Sequence, residues 1–360
     1  MRGEVRFLTA VVALMLSASC APSGAPSGSH AGGAATGAAT TTPPATVSSP
    51  PASPGAASAA TAAPEIAVTL FKNVRIFDGK AEKLTNPSNV MVRGNIIERV
   101  SGVSIEPPAD ANVTVIDGGG RTLMPGLIDV HWHAMLIRAT PAQAIAGDVG
   151  YNNIAAGAEA TDTLLRGFTT VRDVGGPSFG LKQAIDEGIV AGPRIFPSGA
   201  VITITGGHGD FRELSELPRT IGGPLSRMEQ IGASAVADSP DEVRVRVREQ
   251  LMQGASQIKL TAGGGVSSPH SPIDASTFTE AELRAAVEAA SNWGTYVTVH
   301  AFTPEAIQRA IAAGVKCIEH GVFMDEATAK LMAEKGRLVE CAAYPRGDET
   351  KLSGRLSPTS

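Results

Sequence analysis

The chain has 360 residues, 43% hydrophobic and 18% charged, which is enough apolar material for a large core and for one or two domains. Its net charge of −5 comes without any block of Lys and Arg, which argues against recruitment to nucleic acid or acidic lipid and points to a small-molecule partner.

Arg2 and Arg6, the apolar run 7–16 and the small residues up to Cys20 form the three-part pattern of a secretory signal over residues 1–20, too short to span a membrane. Cys20 precedes a Pro/Ser/Gly/Ala tract and resembles the lipidated cysteine of a bacterial lipoprotein. A lipid anchor at Cys20 and simple cleavage nearby both stay open; either implies export, to the periplasm or the outer surface. Residues 21–64 are almost all Ala, Gly, Pro, Ser and Thr and predict a disordered, removable linker.

From residue 65 to 120, short apolar runs at 68–71, 74–77, 89–93, 96–100 and 113–117, separated by turns such as Asp78-Gly79 and Arg93-Gly94-Asn95, predict a small β domain. Beyond Arg121 the rhythm becomes strand, loop, helix. Strands are expected at 127–130, 169–174, 194–200, 258–261, 296–299 and 315–318. Helices are expected at 161–166, 178–187, 240–253, 279–292, 304–313 and 325–335. Ser239-Pro240-Asp241-Glu242 and Thr279-Glu280-Ala281-Glu282 each supply a hydroxyl cap and an acidic first turn. Such alternation predicts a parallel βα architecture over 121–336. A seventh strand is available at 338–343, whereas 337–360 is otherwise polar and reads as an aberrant tail. Cys317 and Cys341 lack CxxC spacing and are read as buried thiols.

The chemistry concentrates at strand ends. In Met124-Pro125-Gly126-Leu127-Ile128-Asp129-Val130-His131-Trp132-His133 an apolar strand closes on two histidines of the same face, at the end where barrel active sites lie. A His-x-His pair alone is weak; on a buried strand it has metal-ligand geometry. Lys259, flanked by apolar residues in Gln257-Ile258-Lys259-Leu260-Thr261, is costly to bury unless paired, neutralised or modified. Read alone, it fits an ion pair or a side chain reaching solvent. Val297-Thr298-Val299-His300 and Cys317-Ile318-Glu319-His320 each end in histidine, one βα unit apart. Together these residues gather nitrogen donors at strands one, four, five and six, and imidazole is the usual zinc donor.

On these motifs the chain resembles the amidohydrolase superfamily, in the branch related to imidazolonepropionase that includes Xaa-Pro-type dipeptidases and ochratoxin-type amidases. The resemblance implies a (β/α)₈ TIM-type barrel, here incomplete with its last strands missing, and a small N-terminal β domain. It implies two divalent metal ions, with Zn²⁺ expected, held by His131 and His133 on one side and His300 and His320 on the other. Lys259 matches the lysine that takes up CO₂ as a bridging carbamate. The implied reaction is hydrolysis of a C–N bond in a small amide or dipeptide, by a metal-activated hydroxide with an aspartate from strand eight moving the proton. Gly206-Gly207-His208-Gly209-Asp210 resembles a substrate loop of this branch, so His208 is either a substrate contact or part of a glycine turn. Gly263-Gly264-Gly265 lacks the Lys-Ser/Thr of a phosphate loop and fits close backbone approach to the site; His270 is expected in solvent.

The strand-eight aspartate is not found. Asp348 and Glu349 are present, but neither is assigned its role, so the catalytic residue stays unknown and strands one and six are expected to expose open edges. The competing readings are a catalytically inactive, C-terminally truncated remnant with partial metal binding and, least favoured, a periplasmic binding protein, in which Lys259 would have no purpose. A homo-oligomer is left open.

Overall fold

The computed structural model describes residues 67–109, 111–218, 223–268 and 270–340. The leader, the linker, Cys20, Cys341, Asp348 and Glu349 therefore lie outside the described residues. The first five strands, β1 (Val68–Ile76), β2 (Ser88–Arg93), β3 (Ile96–Ser101), β4 (Val113–Asp117) and β5 (Thr122–Leu123), form one sheet in the order β3-β2-β1-β4, with β5 also on β1. The two runs expected at 68–71 and 74–77 are a single strand. Its pairing with β2 slips between Phe71 and Val74, where Asn73 takes a positive φ of 52°.

Next come β6 (Leu127–Trp132), α1 (Pro141–Ala146), α2 (Val149–Leu165), β7 (Phe168–Asp173), α3 (Phe179–Asp186), β8 (Arg194–Pro197), β9 (Val201–Thr203), α4 (Arg227–Gln230) and β10 (Ser234–Val236). The chain continues through α5 (Pro240–Met252), β11 (Ile258–Thr261), α6 (Glu280–Asn292), β12 (Val297–Ala301), α7 (Pro304–Ala313), β13 (Cys317–His320), α8 (Glu326–Glu334) and β14 (Leu338–Glu340). The two caps that the sequence predicts are formed: Ser239 accepts from Glu242 N, and Thr279 and Glu282 form a reciprocal capping box. Asp148 caps α2, which starts well before the expected 161–166.

The strands after β5 are all parallel and fall into two sheets, β6-β7-β8 and β10-β9-β11-β12-β13-β14. The strand expected at 194–200 is the junction between them. Ser198-Gly199-Ala200 interrupts it, so β8 pairs with β7 while β9 pairs with β11. Gly199 is required there: its φ is 74°, and a Cβ would come 2.3 Å from Gln250 Oε1, the atom that accepts from Ala200 N. β13 is not an edge, because β14 pairs with it from Cys317–Leu338 to Glu319–Glu340. Among the described residues β6, with Ile128 64% exposed, and β14, with Leu338 67% exposed, are edge strands, as are β8 and β10 at the other ends of the two sheets.

Alternation within the strands separates two environments. Ile258, Leu260, Val297, Val299 and Ile318 join one buried apolar cluster with Leu283, Ala286 and Ile307 of α6 and α7. The alternate residues Lys259, Thr261, Thr298, His300 and Glu319 are buried as well, yet polar. A smaller cluster of Val171, Ile195, Ala156, Ala160 and Leu181 does the same for β7 and β8 against α2 and α3. Polar residues therefore share one face of both sheets, and the site is built there.

Candidate metal centre

Four of the five expected residues are histidines, and their rings form a continuous string. His133 lies 5.3 Å from His131 between centroids, His131 lies 4.6 Å from His320, and His320 lies 4.6 Å from His300. His208 completes it, stacked on His300 at 4.2 Å with 25° between the planes. Strand alternation explains His131 and His300. It would send His320 to the opposite face from Glu319, but His320 has a left-handed φ of 75°, and its ring packs against His131, His300 and Phe302 instead.

Hydrogen bonds specify most of the rings. His131 Nδ1 lies 2.8 Å from Glu319 Oε2, His133 Nδ1 lies 3.1 Å from the Gly175 carbonyl, and His300 Nε2 lies 2.7 Å from the Gly264 carbonyl. A carbonyl or carboxylate accepts, so each named nitrogen is the protonated one, and the remaining nitrogen of each ring carries a lone pair. Nδ1 of His320 and Nδ1 of His208 are buried without a hydrogen-bond partner. Such orphaned polar atoms are costly unless something else occupies them.

The electrostatics hold His133, His208, His300 and His320 neutral. Burial lowers the pKa of His133 and of His320 to about 3, helped by the positive charge of Lys259; the same two causes lower His208 to about 4. Burial, then His208 and Lys259, holds His300 well below the ordinary imidazole value. Neutral imidazole is the form that ligates metal. Lys259 is itself buried, 3% exposed, and burial pulls it down to about 8 although Glu319 opposes the shift.

The surroundings contain residues that the strand-end motifs did not flag. Glu319 is fully buried and is held below the ordinary carboxylate range: burial alone would raise it, but the His131 hydrogen bond, Lys259 and Arg172 outweigh that. Asp173 accepts from Ala134 N at 2.7 Å and Gly175 N at 3.1 Å, fixing the loops that follow β6 and β7, and burial raises its pKa to about 7. Glu340 Oε2 lies 3.1 Å from His131 Nδ1, and ligand atoms of His131, His320 and Glu340 all lie within 4.8 Å of one another. This three-residue group is the tightest donor set among the described residues. It draws on both sheets, where the sequence reading pairs His131 with His133 and His300 with His320.

The flanking loops pack as the glycine run predicts. A Cβ on Gly264 would come 1.5 Å from the Pro272 carbonyl, and one on Gly265 would come 2.0 Å from His208 Nδ1. His270 is exposed, as expected. In the His208 loop, Asp210 takes Nε and Nη2 of Arg212 at 2.7 and 2.6 Å and Gly206 N at 2.8 Å, an internal clasp that shapes the turn. His208 is thus both part of a glycine turn and a member of the ring string.

The chain is similar to several known proteins. Ochratoxinase from Aspergillus niger is 32% identical over 292 residues, covering 76% of this chain and 58% of the relative. A solved prolidase in complex with N-methylphosphonate-L-proline superposes with a TM-score of 0.68 at 39% identity, covering 76% of this chain and 65% of that one. A Xaa-Pro dipeptidase with methionine bound in its active site gives 0.65 at 36% identity, covering 76% and 66%. The chain thus spans less than two thirds of the length of each. The family profile described as "Amidohydrolase family" matches residues 122–355, a stretch that contains every histidine of the string, and the chain belongs to that family.

Proposed function

We propose that the chain is the catalytic part of a metal-dependent hydrolase that cleaves the C–N bond of a small amide, with dipeptides ending in Pro or a basic residue as the first substrates to try. Water is added across the bond and leaves a carboxylic acid and an amine. The observation that carries this reading is the cluster of buried imidazoles in which one nitrogen of His131, His133 and His300 is bonded to Glu319, Gly175 O and Gly264 O, leaving the other nitrogen of each ring available. The prolidase, dipeptidase and ochratoxinase likenesses support the substrate class.

In this reading His131, His133, His300 and His320 would hold two divalent ions together with Lys259 as its carbamate, and the four imidazoles favour Zn²⁺. Glu340 adds a carboxylate beside His131 and His320. When bound, such ions supply Lewis acidity and activate water. The buried orphan Nδ1 of His320 suits this role. His208, stacked on His300, lines the approach and offers its ring to the substrate's carbonyl or carboxylate. The parallel strands make up part of the (β/α)₈ barrel of the family, and the leader over residues 1–20 exports the protein, with lipid attachment at Cys20 or simple cleavage nearby as the two routes.

The test is to purify the full chain, count metals by mass spectrometry, and supply Zn²⁺ and bicarbonate with a panel of Xaa-Pro and Xaa-Arg dipeptides and N-acyl amino acids. Bound metal and turnover that disappears on chelation are expected. A chain that retains no metal and hydrolyses no member of the panel would overturn the reading.

A further inference from the structure

Glu319 is the most extensively bonded side chain of the site, yet it is not one of the donors required above. Both of its oxygens accept from Arg172 Nη2, at 2.7 and 2.8 Å; Thr298 Oγ1 donates to it; and His131 Nδ1 lies 2.8 Å away. Arg172 is tied down in turn, its Nε donating to the Val130 carbonyl at 2.6 Å. The carboxylate is therefore positioned from β6, β7 and β12 while sitting on β13. Glu340, which approaches the same ring nitrogen from the partly exposed end of β14, has no comparable clamp from Arg172 or Thr298.

We propose that Glu319 is a positioning residue: clamped by Arg172 and Thr298, it fixes His131 as the Nδ1-protonated tautomer and aims its Nε2 lone pair at the metal site. The inference rests on the metal-centre reading above. A carboxylate accepts and does not donate, so the proton must stand on Nδ1, and an immobile carboxylate also sets the ring's rotation. A simple buried ion pair joining β7 to β13 would place no demand on the imidazole, and this difference can be measured.

The experiment uses the full chain with ¹⁵N-labelled histidine, first metal-free, where long-range ¹H–¹⁵N correlations report the tautomer of each ring, and then in competition with a chelating dye for Zn²⁺. Wild type is expected to show His131 protonated on Nδ1. Glu319→Gln, which offers both an acceptor and a donor, should mix the tautomers and weaken Zn²⁺ retention by about 10–100-fold. Glu319→Leu combined with Arg172→Met removes both charges together, so no lone ion is left buried and folding is protected; it should show the same loss. Glu340→Gln should leave the His131 tautomer as in wild type. Wild-type His131 protonated on Nε2, or unchanged tautomer and Zn²⁺ affinity in whichever Glu319 variant folds, would overturn the proposal. A wild-type chain that binds no Zn²⁺ would refute the metal-centre reading, while the tautomer measurement would still decide the role of Glu319.

Discussion

Gly126, the residue just before β6, offers a sharp test of how the strand carrying His131 is seated. β6 and β7 pair Leu127 with Phe168 and then Ile128 with Thr170, so Thr169 is an extra residue on β7, a bulge whose side chain is driven toward Gly126. A Cβ on Gly126 would come 1.9 Å from Thr169 Oγ1, 2.3 Å from Cγ2 and 2.6 Å from Cβ. A new rotamer of Thr169 relieves the first two contacts but not the third, so in Gly126→Ala the strands must part. Gly126 does not have a positive φ, so backbone strain does not contribute. Forced overpacking of this kind costs about 1–3 kcal/mol, and each kcal/mol lowers Tm by roughly 1–2 °C in a chain of this size. A double-mutant cycle isolates the clash. Thr169→Ala retains the offending Cβ and should not rescue Gly126→Ala. Thr169→Gly should rescue most of the loss, after allowance for its own cost of roughly 0.5–1 kcal/mol in a strand. Urea or thermal unfolding of the four variants measures it, and an unchanged Tm in Gly126→Ala, or full rescue by Thr169→Ala, would refute the reasoning.

Gly265→Ala places its Cβ 2.0 Å from His208 Nδ1, so the ring is expected to leave its stack on His300. Its titration by NMR in the metal-free protein should then rise from about 4 toward the ordinary imidazole value, and a ring that still titrates near 4 would count against this packing. In the metal-free protein, stability should also fall on acidification. The unfolded chain carries ordinary imidazoles that take up protons near pH 6.5, whereas folded His133 and His320 stay neutral down to about pH 3 and His208 to about 4. Unfolding therefore takes up protons at the histidines in this window, so their contribution makes stability rise with pH between about 4 and 6.5, opposed by up to one proton at Asp173, which is raised to about 7. Denaturant titrations across that range should show more than two protons taken up; a flat profile would mean that the rings are not buried as described.

The donors that lie on a strand's alternation were legible in the residues: His131 and His300 close apolar runs, and the buried lysine is conspicuous among Ile258, Leu260 and Thr261. The helix starts at Ser239 and Thr279 were legible because a cap has a local chemical signature. Glu319 lies on the same alternation, sharing a face with Cys317, but a lone acidic residue inside an apolar strand has no local signature of its role, which comes from Arg172, Thr298 and His131 on other strands. Arg172 and Asp173 could not be assigned, because their partners, Glu319, Ala134 N and Gly175 N, are brought to them only by the fold. The early start of α2 was masked by small residues such as Ala155, Ala156 and Gly157, which give a weak apolar stripe, although Asp148 is a cap signal. β9 and β10 are three residues each, shorter than any periodicity can show, and they exist through pairing with each other and with β11. Glu340 stands at the end of a short strand that looked like the start of a polar tail.

The left-handed backbone at His320 limits what substitution can do at this position. A β-branched or bulky side chain in that conformation is strained, and Gly321 follows with a φ of 61°, so the turn cannot easily relax into an ordinary strand. The residues that tolerate it best, apart from glycine, are His, Asn and Asp. All three carry a metal-binding nitrogen or oxygen on a short side chain. If this corner holds a metal as proposed, the backbone leaves it free to exchange an imidazole nitrogen for a harder oxygen donor, and with it to change which metals it prefers, while disfavouring the β-branched and bulky replacements that offer no ligand atom.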